Sequence, residues 1–156
     1  MSFGPAVSRR AHARQIDSAA PCPCGSGDAF GGCCGPALRG DPAPTAERLM
    51  RSRYTAFSLG DVSYLTSSWH PRTRPETVEA DAGLRWTGLE ILGVEGGELA
   101  DATGVVTFTA TWSDGATSGV LRERSRFVRE LGRWWYVDGE LGREPATPGD
   151  PATLGW

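Results

Sequence analysis

The chain has 156 residues, enough for one domain of about 100 residues with its own core once loose ends are set aside. Its net charge is −3 and it contains no lysine, so a general nucleic-acid binder, which shows a basic balance, is not expected. No run approaches the roughly 18–20 apolar residues that span a bilayer, and a soluble, cytoplasmic protein with no membrane contact is expected. Residues 1–20 lack periodicity and read as a flexible N-terminal segment. Ser8-Arg9-Arg10 has the look of a twin-arginine signal, but Ala11 to Ala20 carry His12, Arg14, Gln15 and Asp17 where an apolar region is needed.

Cys22, Cys24, Cys33 and Cys34 are the only cysteines, arranged as C-x-C, eight residues, then an adjacent pair. Thiolates are the ligands that select zinc, and four of them close a tetrahedron with no open position. Bridging Cys22 to Cys24, or Cys33 to Cys34, would close rings too small for a relaxed disulfide. Cross-pairing of Cys22 with Cys33 and Cys24 with Cys34 stays open in an oxidising compartment, and free or redox-active thiols are the remaining alternative. Residues 21–36 are read as a knuckle binding one structural zinc ion. Gly25-Ser26-Gly27 can form a tight turn with N–H groups aimed at the Cys22 and Cys24 sulfurs. Phe30 is placed to pin the knuckle to the rest of the chain. Removing the metal should loosen this arm and leave the main domain folded.

The pattern C-x-C-G-S-G-x-x-F-x-x-C-C over residues 21–36 resembles the small zinc motif at the carboxy terminus of the SecA translocation ATPase, the SEC-C motif. The resemblance implies that all four cysteines ligate zinc and that the knuckle contacts a protein partner. Such motifs commonly carry lysines around the phenylalanine. Here Asp28, Ala29, Gly31 and Gly32 stand instead, so the basic surface is missing from the motif itself.

Residues 37–44 read as a linker, punctuated by Gly40, Pro42 and Pro44. Thr45 is placed to cap a helix carrying Leu49, Met50, Tyr54 and Phe57, with Gly60 just past its end. Asp61 can cap a second helix through Val62, Tyr64, Leu65 and Trp69, ending at His70-Pro71. Thr73 with Glu76 makes a capping box for a short third helix. After Gly83 the period changes to that of strands: Leu89 and Ile91, then Val106 to Trp112, then Leu121 to Val128, then Trp134 to Val137. Gly96-Gly97, Asp114-Gly115 and Gly132 mark the turns. Helices followed by a meander of strands is an α+β layout, over residues 45–142, with 143–156 as a flexible C-terminal tail.

This order resembles the NTF2-like cone, helices packed on a curved antiparallel sheet. Together with the knuckle it is similar to one uncharacterised bacterial family, the YchJ-like proteins. The segments that carry the resemblance are Arg51 to Phe57, Trp69-His70-Pro71, Glu123 to Phe127 and Trp134 to Gly139. The family brings no reaction with it.

A two-residue turn at Leu131-Gly132 would need Leu131 at positive φ, so a type I turn with a G1 bulge is expected. In that register Arg124 faces Asp138 and Arg122 faces Glu140. Arg122, Arg124 and Arg126 then form a solvated, largely neutralised face. The apolar face carries Leu121, Glu123, Ser125 and Phe127 beside Trp135 and Val137. Glu123 and Ser125 are polar groups on that face and need partners, which Arg51, Arg53, Tyr54 or His70 can supply. Two readings follow. Either an internal Glu–Arg or Glu–Tyr bond ties helix to sheet, or Glu123, Ser125, His70 and an arginine converge on a small ligand in the cone mouth. No catalytic triad spacing surrounds Ser125. The function expected is a non-enzymatic zinc-binding adaptor, with the cone pocket as the alternative.

Overall fold

The computed structural model describes residues 13–142. Short elements come first: a 3-10 turn at Phe30–Gly32 and a single helical turn, α1 (Gly35–Leu38), which starts directly after Cys34. Helices α2 (Ala46–Leu59) and α3 (Val62–Ser67) follow. Four strands, β1 (Arg85–Gly96), β2 (Thr103–Ser113), β3 (Ser118–Glu130) and β4 (Arg133–Leu141), pair antiparallel in sequence order. Irregularities in β1 after Trp86 and Ile91, and between β3 and β4 at Arg126/Phe127, bend the sheet. It is a curved antiparallel sheet with helices on one face.

Helix α2 begins where Thr45, in extended conformation, accepts the Arg48 N–H at 3.2 Å. It stops at Gly60, whose φ of 72° suits a left-handed cap. Asp61 then accepts the Tyr64 N–H at 3.0 Å and starts α3. Leu49, Met50, Tyr54 and Phe57 are buried in one core with Val106, Phe108, Ala110, Leu121, Phe127, Trp134 and Tyr136. Each large apolar side chain of that set contributes about 1.5–3 kcal/mol on burial. The core holds α2 across the sheet.

The second helix is shorter than the expected one. It ends at Ser67, and Trp69 instead pairs in parallel with Tyr136 on the free edge of β4. The His70 N–H donates to the Tyr136 carbonyl at 2.7 Å, and the Tyr136 N–H to the Ser68 carbonyl at 2.9 Å. The expected third helix is absent: Thr73 Oγ1 donates to the Val137 carbonyl at 2.6 Å rather than capping a helix. That bond lays the segment along β4.

The β3–β4 hairpin also departs from expectation. Leu131, at φ 51°, and Gly132, at φ 78°, form a two-residue turn, and Glu130 pairs with Arg133. Leu131 is fully exposed, and the cost of its left-handed backbone, about 1–2 kcal/mol from its own Cβ, is offset because a two-residue turn with both φ positive matches the twist of the flanking strands. Moving the turn by one residue exchanges the faces of β4. Trp134 and Tyr136 point into the core, and Trp135 and Val137 are only half-buried. Beyond the bulge, Arg124 faces Glu140, and Arg126, not Arg124, faces Asp138, with hydrogen bonds of 2.6 and 2.5 Å. Arg124 pairs instead with Glu95 at 3.2 Å. Two of the three arginines on this outer face are neutralised.

Residues 13–20, expected to be loose, are tied down where described. The Arg14 N–H donates to the Leu59 carbonyl at 2.8 Å, and the Ser18 and Ala20 carbonyls accept from Gly31 and Phe30, both at 2.8 Å. The rest of the expected N-terminal segment and the tail at 143–156 lie outside the described residues.

Candidate metal centre

The knuckle is two tight turns facing each other. The Gly25 N–H closes the first by donating to the Cys22 carbonyl at 3.1 Å, and the Cys33 N–H closes the second on the Phe30 carbonyl at 3.1 Å. A bridge between Pro21 and Ala29 fastens the two. The result brings all four sulfurs within 4.8 Å of one another. Cys24 and Cys33 sulfurs are 3.6 Å apart, and those of Cys33 and Cys34 are 4.0 Å apart. An ion bonded to four thiolates at about 2.3 Å places the sulfurs about 3.8 Å apart, so the donor set fits a tetrahedral metal ion. Ligands of this kind bind as thiolates, and four of them give a closed, structural site.

Electrostatics of the bare thiols point the same way. The Cys22 and Cys34 thiols, with Ser26, hold the Cys24 thiol far below its usual range. The Cys22 and Cys24 thiols, together with burial, push Cys34 far up, and Cys22 is raised first by Cys24. Four crowded sulfurs cannot all carry charge without a cation among them.

Helix α2 completes the site. Arg48 Nη1 lies 3.5 Å from the Cys33 sulfur, and Arg51 Nη1 lies 3.8 Å from the Cys24 sulfur while donating to the Cys24 carbonyl at 3.2 Å. Thr55 Oγ1 sits 3.8 Å from the Cys22 sulfur. These residues stand at i, i+3 and i+7, one face of the helix. Burial works against the Arg51 charge, but the Cys24 sulfur and Glu47 outweigh it and raise its pKa. The Ser26 hydroxyl is 3.1 Å from the Cys33 sulfur. Cys22, Cys24 and Cys34 are buried in the same core as Leu49 and Tyr54, with Phe30 packed against it. The basic groups missing from the knuckle are supplied by α2. Sequence reasoning missed Arg48 and Thr55 as neighbours of the sulfurs, although their spacing with Arg51 was the available signal.

The six residues proposed for a cone pocket do not converge. Arg51 faces the cysteines. Tyr54 packs edge-on against Trp86, with ring centroids 6.4 Å apart. His70 lies toward the outer side of β4: its Nε2 meets Glu130 at 3.0 Å, and its Nδ1 accepts the Arg72 N–H at 3.1 Å. With Nδ1 accepting, Nε2 carries the proton given to Glu130, and this bond lowers the Glu130 pKa.

Glu123, Ser125 and Arg53 remain together, all buried. Glu123 Oε1 accepts from the Tyr136 hydroxyl at 2.9 Å and from Ser125 at 3.2 Å. Arg53 stacks on the Tyr136 ring at 4.2 Å and donates Nη1 to the Leu65 carbonyl and Ser68 Oγ, at 2.9 and 2.7 Å. Burial raises Glu123 to about 7, against the Tyr136 and Ser125 bonds and the nearby Arg53, and lowers Arg53 to about 10. Surface cavities of about 380 Å³ beside Val62 and Val78 and about 230 Å³ beside Leu38 and Tyr64 are lined by none of these residues.

Residues 45–139 match the family model described as YchJ, middle NTF2-like domain. The chain belongs to the YchJ-like family. Relatives confirm the reach of the YchJ-like match beyond that domain. A UPF0225 protein of Streptomyces coelicolor is 54% identical over 122 residues, covering 78% of this chain and 95% of the relative. One from Chromobacterium violaceum is 50% identical over 125 residues, covering 77% and 92%. The solution structure of a SEC-C motif containing protein from Rhodopseudomonas palustris superposes with a TM-score of 0.68 at 33% identity, covering 78% of this chain and 98% of that one. A crystal structure of a SEC-C motif containing protein from Psychrobacter arcticus, at 24% identity and a TM-score of 0.65, shares the fold over 83% of this chain and 86% of its own.

Proposed function

We propose that this YchJ-like protein is a non-enzymatic adaptor in which Cys22, Cys24, Cys33 and Cys34 hold one structural zinc ion and the knuckle docks a protein partner. The observation that carries the proposal is the closed set of four sulfurs clamped against α2 by Arg48 and Arg51. All-thiolate donors favour zinc over harder divalent ions, and four protein ligands leave no position for a substrate water. The domain beneath then serves as a scaffold that holds the knuckle in one orientation. The setting proposed is the cytoplasm, where thiols stay reduced and available to metal. Among the described residues no helix is long and apolar enough to cross a membrane.

The test is affinity capture with the metal-loaded protein and with Cys33→Ser. Partners retained by the first and lost by the second support the adaptor role. An identical partner list for both removes it.

A further inference from the structure

The cavity of about 230 Å³ lies outside the cysteine knuckle, where α1, the start of α3 and the first residue of β4 meet. Its walls carry Arg39, Arg133, Tyr64, Ser63, Ser67 and Asp61. Among the described residues neither Arg39 nor Arg133 forms an ion pair, whereas Arg51, Arg124 and Arg126 each have a carboxylate partner. Arg133 Cζ lies over the Trp135 ring, 4.7 Å from its centroid, a cation–π contact that leaves the guanidinium N–H groups to an acceptor. Asp61, the lining carboxylate, already accepts the Tyr64 N–H that starts α3. Two guanidinium groups against one occupied carboxylate leave the groove positive on a chain whose net charge is −3.

We infer that this groove binds carboxylate side chains of an acidic polypeptide segment, with Arg39 and Arg133 as the two recognising groups and the Ser63 hydroxyl as a further donor. Its size decides between occupants. Enclosed sites for small molecules run to about 300–1,000 Å³, and this groove is smaller and open, which suits side chains presented by a partner's surface. The inference rests on the adaptor reading and deepens it. Helix α1 leads directly from Cys34, so a metal that fixes Cys34 also fixes the turn on which Arg39 stands.

The experiment is fluorescence anisotropy of a short glutamate-rich labelled peptide titrated with the metal-loaded full chain, against inorganic phosphate as competitor. The expected result is saturable binding that weakens with salt, a loss of about tenfold for each of Arg39→Glu and Arg133→Glu, and no such loss for Arg122→Glu on the outer sheet face. Arg133→Gln, which removes charge without reversing it, should fall between Arg133→Glu and the parent chain. Absence of binding, an equal loss in Arg122→Glu, or displacement of the peptide by phosphate at matched ionic strength would each overturn the assignment. Failure here with Cys33→Ser still losing partners removes the groove alone. Capture indifferent to Cys33→Ser removes the adaptor reading even where the peptide binds.

Discussion

Arg51 Nη1 donates to the Cys24 carbonyl at 3.2 Å and reaches to 3.8 Å from the Cys24 sulfur, so one guanidinium joins helix α2 to both the backbone and the thiolate of the knuckle. Four thiolates around a divalent ion carry a net charge of about −2, and Arg48 and Arg51 are placed to balance it. Outer groups of this kind commonly set metal affinity by about 10–100-fold. Arg51→Gln is therefore expected to weaken metal retention within that range. Arg48→Gln, at an exposed contact, should weaken it by a few-fold at most. Competition with a chromophoric chelator reads both, and equal retention in all three proteins would contradict the assignment.

Metal removal should reach further than the knuckle. Cys22, Cys24 and Cys34 share a buried cluster with Leu49, Met50 and Tyr54, so the arm expected from sequence to loosen alone is part of the core. A chelator is expected to lower the midpoint of the main thermal transition while leaving it cooperative. A transition unchanged by chelation would show that the knuckle is energetically separate.

Gly139 marks a second tight relationship. A Cβ at this position would lie 1.6 Å from Glu123 Oε1, closer than any relaxed contact. Gly139→Ala must displace the carboxyl from Tyr136 and Ser125, at a cost of about 1–3 kcal/mol for the overpacking. Glu123→Ala should relieve that clash, so Gly139→Ala should cost less in the Glu123→Ala background than in the parent chain. Equal costs in both, measured by urea denaturation, would mean that the two groups do not touch.

Glu123 also gives the fold a pH dependence with a definite sign. Burial raises it from 4.5 to about 7, so the folded state holds its proton more tightly than the unfolded chain. Its stabilising contribution is fully present below pH 4.5 and is lost as pH rises through 7. The size is on the order of 3 kcal/mol. Glu123→Gln should remove this slope, so the difference in stability between variant and parent should grow in the variant's favour from pH 5 to pH 8. A difference that stays flat across that range would place the proton elsewhere.

What the sequence made legible was local. Thr45, Gly60 and Asp61 announce their helix ends because each cap is a contact between near neighbours. The cysteine spacing announces a metal-binding arrangement for the same reason. Glu123 and Ser125 read as inward-facing because the β3 alternation is unbroken, with Leu121 and Phe127 buried beside them. Tertiary contacts were not legible. The β3–β4 register turns on whether Leu131 adopts φ 51°, which it does because a two-residue turn of this hand matches the twist of the strands it joins. Arg51 reads as a cone residue because nothing in the sequence says that the knuckle docks on the opposite face of α2. Thr73 reads as a helix cap until the Val137 carbonyl is seen to take its hydroxyl proton.

Cys22, Cys24, Cys33 and Cys34 are proposed to hold one zinc ion in a closed site. Elemental analysis of the purified protein, paired with intact-mass measurement under non-reducing conditions, tests it most directly. One equivalent of zinc per chain, lost in Cys24→Ser, is the expected result. A metal-free chain carrying Cys22–Cys33 and Cys24–Cys34 disulfides would contradict it.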